Sequence, residues 1–437
     1  MKHLVLSLAL MMAAGPLHAE IEIDEVTTPG GLEAWLVEDQ SIPFVALEIR
    51  FRGGASLDAP DARGATNLMV GLLEEGAGEM DAQEFARARD SLAAKLSYDV
   101  SDDAVSVSAQ MLTENRDDAV ALLRSSLVAP RFDENAIERV RGQVLSGLRS
   151  DQTDPRAMAS RAFDRLVYDE HPYASPLEGT MDSVKALSRE DIVAAHETAL
   201  SRDRVYISAV GDITAEELGP LLDDLLRDLP QAGAPLPDTA DLNLPGGVQV
   251  ESFETPQSVA LFAQAGIKRD DPDFFAAYVL NHILGGGGFE SRLVTEVREK
   301  RGLTYGVYSY LADKDAAQLW AGSVSSANDR VAEAISVIRD EWTRIRDEGV
   351  TEQELRDAKT YLTGAYPLRF DGNRPIARIA VGMQMDGLPV DYIANRNDMV
   401  EAVTLEQINR VAQERVDPEQ LTFVVVGQPE GLDGSIN

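Results

Sequence analysis

Residues able to do chemistry are scarce in this chain. It contains no Cys and 5 His, so no disulfide framework is possible and imidazole chemistry rests on very few positions. Beyond the first residues only His171, His196 and His282 remain, at spacings unlike any zinc motif. His171 sits in an "HPY" turn and His196 on an amphipathic helix, where surface or packing roles outweigh ligation. The stretch "GATNLMVGLLEEGAG" (64–78) starts like a helix, with Leu68, Met69, Leu72 and Leu73 at helical spacing, yet it offers no imidazole. "GGGG" (285–288) could cradle an anion with its backbone N–H groups. No Lys-Ser or Lys-Thr follows it and no βαβ strand precedes it, so it reads as a flexible loop ahead of the "SRL" helix and not as a nucleotide site. In "REKRGLTY", Arg298 lies on a helix from about Ser291 to Lys300, Gly302 breaks that helix, and Tyr305 opens the strand "TYGVYSYL". On their own these two read as a solvated charge and a strand aromatic.

The elements that must position these residues repeat. "LSREDIVAAHETALSRDRVYISAVGDI" (187–213) and "VTLEQINRVAQERVDPEQLTFVVVGQP" (403–429) share a helix start, an amphipathic helix, a turn and an apolar strand ending in Gly. Ile192 pairs with Ile408 and Gly211 with Gly427, both 216 residues apart. "FDENAIERVRGQVLSGLRS" (132–150) and "VTEQELRDAKTYLTGAYPL" (350–368) form a second matching pair, each with an N-capping residue and acids in the first turn. Between the halves, "LPQAGAPLPDTADLNLPGG" (229–247) has the Pro, Gly and Ala content of an extended linker. The expected organisation is one domain at 20–230, a linker at 231–247 and a duplicate domain at 248–430. Strands such as 43–54 and 205–212 alternate with runs of helices (115–128, 133–150, 156–168). That order predicts an α+β fold, each half a largely antiparallel sheet covered by helices on one face.

A chain of 437 residues exceeds one ordinary core, and 44% hydrophobic with 26% charged residues is the balance of a soluble globular protein. The net charge of −34 argues against nucleic acid, which needs clustered Lys and Arg. The start, "MKHLVLSLALMMAAGPLHAE", has Lys2, an apolar run from Leu4 to Ala14 and a small residue at Ala19. It reads as a secretory signal peptide over 1–19, which places the mature protein in a bacterial periplasm. No later stretch approaches the ~20 apolar residues of a membrane span, so no membrane anchor is expected.

"HPYASPLEGTMDSVKALSREDI" (171–192), "GGGGFESRLVTEVREKRGLTYGVYS" (285–309), "RGATNLMVGLLEEGAG" and "VYISAVGDI" together resemble the pitrilysin/insulinase family of zinc metallopeptidases, which are built from duplicated α+β domains. The family's zinc motif is H-x-x-E-H, two His one helical turn apart with a Glu that activates the metal-bound water. Laid on this chain, it puts Asn67 and Gly71 in place of the His and Val70 in place of the Glu. Moving the base to Glu74 asks for His where Gly71 and Glu75 stand, and the family's third ligand falls on Gly147, or on Leu148 one place on. The resemblance therefore implies no metal in this chain. The family's C-terminal Arg and Tyr, with six residues between them, are matched in full by Arg298 and Tyr305, and its Gly-rich substrate loop falls on Gly286, Gly287 and Gly288. A Tyr hydroxyl beside a scissile carbonyl can donate to the developing oxyanion, and Arg offers a fork of donors. The implied function is a non-catalytic subunit of a heterodimeric periplasmic zinc peptidase. Its partner holds H-x-x-E-H and zinc, and this chain supplies Arg298 and Tyr305 to a peptide substrate. The rival expectation is a proteolytically inactive scaffold or peptide-binding protein of the same fold.

Overall fold

The computed structural model describes residues 21–432, 434 and 436, so the expected signal peptide at 1–19 lies outside the described residues. In chain order the first half contributes β1 (Asp24–Thr27), β2 (Glu33–Glu38), β3 (Phe44–Arg52), a short ribbon of β4 (Gly76–Ala77) and β5 (Met80–Asp81), β6 (Lys95–Val100), β7 (Ala104–Leu112) and β8 (Val205–Gly211). The second half contributes β9 (Gly247–Ser252), β10 (Gln257–Ala265), β11 (Thr304–Lys314), β12 (Ala317–Ala327) and β13 (Thr422–Gly427). The sheets run β1-β2-β8-β3-β7-β6 and β11-β12-β10-β13-β9. Each is antiparallel except for one parallel pair, β2 with β8 and β9 with β13. The chain is thus α+β with two similar sheets.

The period-two pattern of β3 sorts its side chains. Val45, Leu47, Ile49 and Phe51 are buried in the first core, where Leu68, Leu122, Leu123, Ile192, Leu218 and Leu222 arrive from helices. The 216-residue repeat has a backbone reason at its strand ends. Gly211 and Gly427 both have positive φ, 134° and 153°. A Cβ would stand 2.2 Å from the Phe44 carbonyl oxygen at the first and 2.3 Å from Ser258 Oγ at the second. No L side chain fits that close approach to the neighbouring strand.

Helices on one face proves an incomplete description, because each sheet is also crossed on its other face by a helix from the opposite half. The Pro155–Tyr168 helix lays Ala159 against Val259 and Val426, and Ala162 and Phe163 against Ala263, Leu319 and Val424, all on the second sheet. Reciprocally, the Asn373–Met385 helix puts Ala377 on Ala46 and Val210 of the first. The hairpin turns between β6 and β7 and between β11 and β12 meet where the halves join. Lys314 Nζ lies 2.6 Å from Asp102 Oδ2, and the Asp315 backbone N–H donates to Asp103 at 3.3 Å. The 231–247 stretch is extended and anchored to both halves, Ala240 N–H donating to Ala316 O and Asn243 N–H to Val167 O. Among the described residues no helix is long and apolar enough to cross a membrane.

Candidate functional site

The stretch that ought to hold metal forms the Ala65–Val70 helix. Its start is built by two residues that motif matching passes over. The buried Asp58 carboxylate accepts from Gly64 N–H (2.8 Å), Thr66 N–H (3.0 Å) and Thr66 Oγ1–H (2.6 Å), filling the role of an N-cap. Burial pushes the Asp58 pKa up, while those hydrogen bonds and Arg63 pull the other way. Arg63, itself buried, donates to Ala55 O, Ser175 Oγ and Pro172 O, which ties the "HPYAS" segment to the helix start. The apolar side is fully packed: Leu68, Met69, Leu72 and Leu73 are buried, each worth roughly 1.5–3 kcal/mol.

The opposite side has no place for a metal. Asn67 is half-buried and Val70 buried, while Gly71 is exposed but points at the Glu134–Asp151 helix, where a Cβ would stand 3.0 Å from Val140 Cγ1. Further along that helix, Gly147 has no side chain and Leu148 is buried with Leu145 and Val184. The two carboxylates that end the stretch are engaged elsewhere, Glu74 with Arg89 and Glu75 with Arg139. No group of three or more His, Asp or Glu able to hold a metal occurs among the described residues. The residues present do not fit zinc. The histidines hold structure instead. His171 Nδ1 accepts from Tyr173 N–H, His196 Nε2–H donates to Leu127 O at 2.7 Å, and His282 stacks on Tyr361. Burial lowers the pKa of all three.

The second half presents a different surface. Helical turns of π-type winding cover Val294–Glu299 and end at Gly302, whose φ of 64° closes the helix as its N–H donates to Arg298 O. In "EVREKR" the charges separate by role. Glu296 pairs with Lys300 (2.7 Å) and Arg301 (2.8 Å), which pull its pKa down. Arg298 makes no ion pair among the described residues; its guanidinium lies 4.8 Å over the Phe289 ring. Tyr305 is 88% exposed. The register of β11 against β12 steps from Thr304↔Ser326 to Val307↔Val324, so Tyr305 and Gly306 form a bulge. Thr304 Oγ1 fixes it, donating to Ser325 O at 2.6 Å and accepting from Gly306 N–H. Bulges of this kind re-aim side chains, and here the one thrust outward is Tyr305.

The "GGGG" run is corrected from loop to helical turn, since His282–Gly286 winds as one. A Cβ on Gly285 would meet Ser309 Oγ at 2.4 Å, on Gly286 Asn281 Nδ2 at 2.8 Å, and on Gly287 His282 O at 2.7 Å, while Gly288 has positive φ. Packing against Ser309, Asn281 and His282 explains the first three glycines, and backbone conformation the fourth, before any ligand is invoked. Sequence matching missed Phe289, 70% exposed beneath Arg298, and the stacked exposed pair Tyr308 and Tyr310. The alternation in "TYGVYSYL" held the signal for the last two. No hydrogen bond, ion pair or ring contact joins Arg298 or Tyr305 to Asn67, Val70 or Gly71 among the described residues.

Residues 34–181 match the family model described as insulinase (peptidase family M16), and residues 186–362 match that of the peptidase M16 inactive domain. The chain belongs to peptidase family M16. Within M16 it is similar to the non-peptidase homolog YmxG of Helicobacter pylori, at 26% identity over 89% of this chain and 90% of that protein. The beta subunit of the mitochondrial-processing peptidase of Neurospora crassa is 21% identical over 87% of this chain and 82% of its own length. A solved M16 inactive domain from Pseudomonas fluorescens superposes with a TM-score of 0.88 at 27% identity, covering 95% of this chain and all of that one. This M16 chain thus keeps the family fold while its sequence contains no H-x-x-E-H motif.

Proposed function

We propose that this M16 chain is the non-catalytic subunit of a two-chain zinc peptidase in the periplasm, acting on a peptide held between it and a subunit that bears H-x-x-E-H and zinc. The observation that carries the reading is the asymmetry between the halves. The helix bearing Asn67 and Val70 offers no metal-ligating side chain, while Tyr305 stands exposed on a bulge and Arg298 makes no ion pair among the described residues. A phenol hydroxyl and a guanidinium offered to solvent are suited to a peptide's backbone oxygens. Gly286, packed next to Asn281, Gly287, packed next to His282, and Gly288 after them are proposed to border that peptide.

Co-expression with an H-x-x-E-H relative from the same organism tests the assembly. The expected result is a stable complex whose peptidase activity requires this chain and is lost on chelating zinc. Full activity of the relative without this chain, or no complex between them, would reject the role and leave a scaffold of M16 fold.

A further inference from the structure

The four arginines Arg269, Arg369, Arg378 and Arg396 come from four separate elements and line one cavity of about 230 Å³. This is a conspicuous gathering in a chain with 74 acidic and 40 basic residues. None of the four forms an ion pair among the described residues. Asp386 is the one carboxylate in the lining; it and Asp313 act on Arg269, and Glu48 on β3 acts on Arg378, through space without an ion pair.

Two of the arginines are held rigidly by aromatic rings and neutral oxygens. Arg269 lies 4.3 Å from the Phe274 ring centre and donates to the Tyr392 hydroxyl. Arg396 lies 4.5 Å over Tyr366, donating to Leu362 O at 2.8 Å and to the Tyr278 hydroxyl at 3.2 Å. Arg369 and Arg378 stand exposed at the mouth. A larger cavity, of about 710 Å³, sits beside the Pro155–Tyr168 helix, the counterpart of the Asn373–Met385 helix here. There the arginines are satisfied: Arg161 faces Asp151, Arg165 pairs with Glu251, and Arg63 is spent on carbonyls. In the second half the four arginines make no ion pair among the described residues and outnumber the single lining carboxylate, Asp386.

We propose that this cavity binds a small organic carboxylate on a flat or apolar stem, of the size of a peptide's C-terminal residue. Unpaired guanidinium forks receive the two carboxylate oxygens, and the aromatic walls take the stem. The site needs no second subunit, so its test stands apart from the proposed peptidase role.

Calorimetric titration of the purified full chain with N-acetyl-L-phenylalanine, and with its C-terminal amide, reads it directly. The acid is expected to bind saturably at one site and the amide not at all. Arg369→Gln with Arg378→Gln, both exposed, should weaken the acid about tenfold or more at unchanged melting temperature. A short peptide ending in free Phe that competes with the acid would identify peptide C-termini as the source, and failure to compete would point to a free small acid; either supports the site. Equal binding of acid and amide, no saturable binding of the acid, wild-type affinity in the double variant, or displacement of the acid by equimolar inorganic phosphate would overturn it.

Discussion

Single residues in this chain separate cleanly into those that hold the fold and those offered to solvent. Tyr305 belongs to the second kind. Tyr305→Phe removes one exposed hydroxyl, so the melting temperature of the lone chain should not move. If the proposed complex with a zinc-bearing subunit forms, its turnover should fall about 100- to 1,000-fold, the effect of losing one oxyanion donor. Unchanged turnover would remove Tyr305 from the chemistry. The zinc positions belong to the first kind. Asn67→His, Val70→Glu and Gly71→His introduced together restore the motif in letters only. A Cβ at 71 presses on Val140, a carboxylate at 70 would be buried, and Gly147 still lacks a side chain. The triple variant should lose at least about 2 kcal/mol of stability and retain no zinc through dialysis. One zinc per chain by elemental analysis would disprove this account of the helix.

At the scale of elements, the contact between the two halves is sensitive to pH. Asp164, on the Pro155–Tyr168 helix, is pushed up to about 6 by burial, with Lys314 opposing and Asp102 adding to the rise. Asp315, in the β11–β12 turn, is raised to about 6 in the same way, against the pull of Arg52. An unfolded Asp titrates near ~3.9. Between those values the folded chain holds protons that the unfolded chain has released, so this contribution to stability falls as pH rises and is fully lost above about pH 6. Calorimetric melting from pH 5 to 7.5 should show a decline that Asp164→Asn flattens; an identical slope in the variant would mean that Asp164 is not responsible. The bulge in β11 is a second element-scale device, because the extra residue there alone turns Tyr305 outward from a strand whose other partners stay in register.

For the molecule as a whole, the exchange of helices makes the halves interdependent. Without the Pro155–Tyr168 helix, the face of the second sheet bearing Ala263, Leu319 and Val424 would be open to water; the first sheet similarly needs the Asn373–Met385 helix over Ala46 and Val210. Residues 21–246 and 247–437 expressed separately should therefore be aggregation-prone and bind hydrophobic dyes. Mixed during refolding, they should give a 1:1 complex with one cooperative melt. Two independently soluble halves with separate sharp transitions would contradict that interdependence.

The amino-acid sequence alone determined a good deal. The repeat set by Ile192 with Ile408 and Gly211 with Gly427, the runs of helices, and the blank motif at Asn67, Val70 and Gly71 are local patterns of spacing and residue type. Such patterns survive in one dimension, since helical and strand periodicities are read from neighbours in the chain. What they could not convey depends on residues brought together from far apart. The "GGGG" run looks like a loop until Ser309, Asn281 and His282 are seen crowding it. Asp58 and Arg63 are ordinary charges until Gly64, Thr66 and Ser175 close around them. The exchange of helices leaves no trace in periodicity, because an apolar helical face is the same whichever sheet it covers. The convergence of Arg269, Arg369, Arg378 and Arg396 on one cavity is likewise decided only by tertiary structure, since unpaired charge is a property of what surrounds a side chain in space.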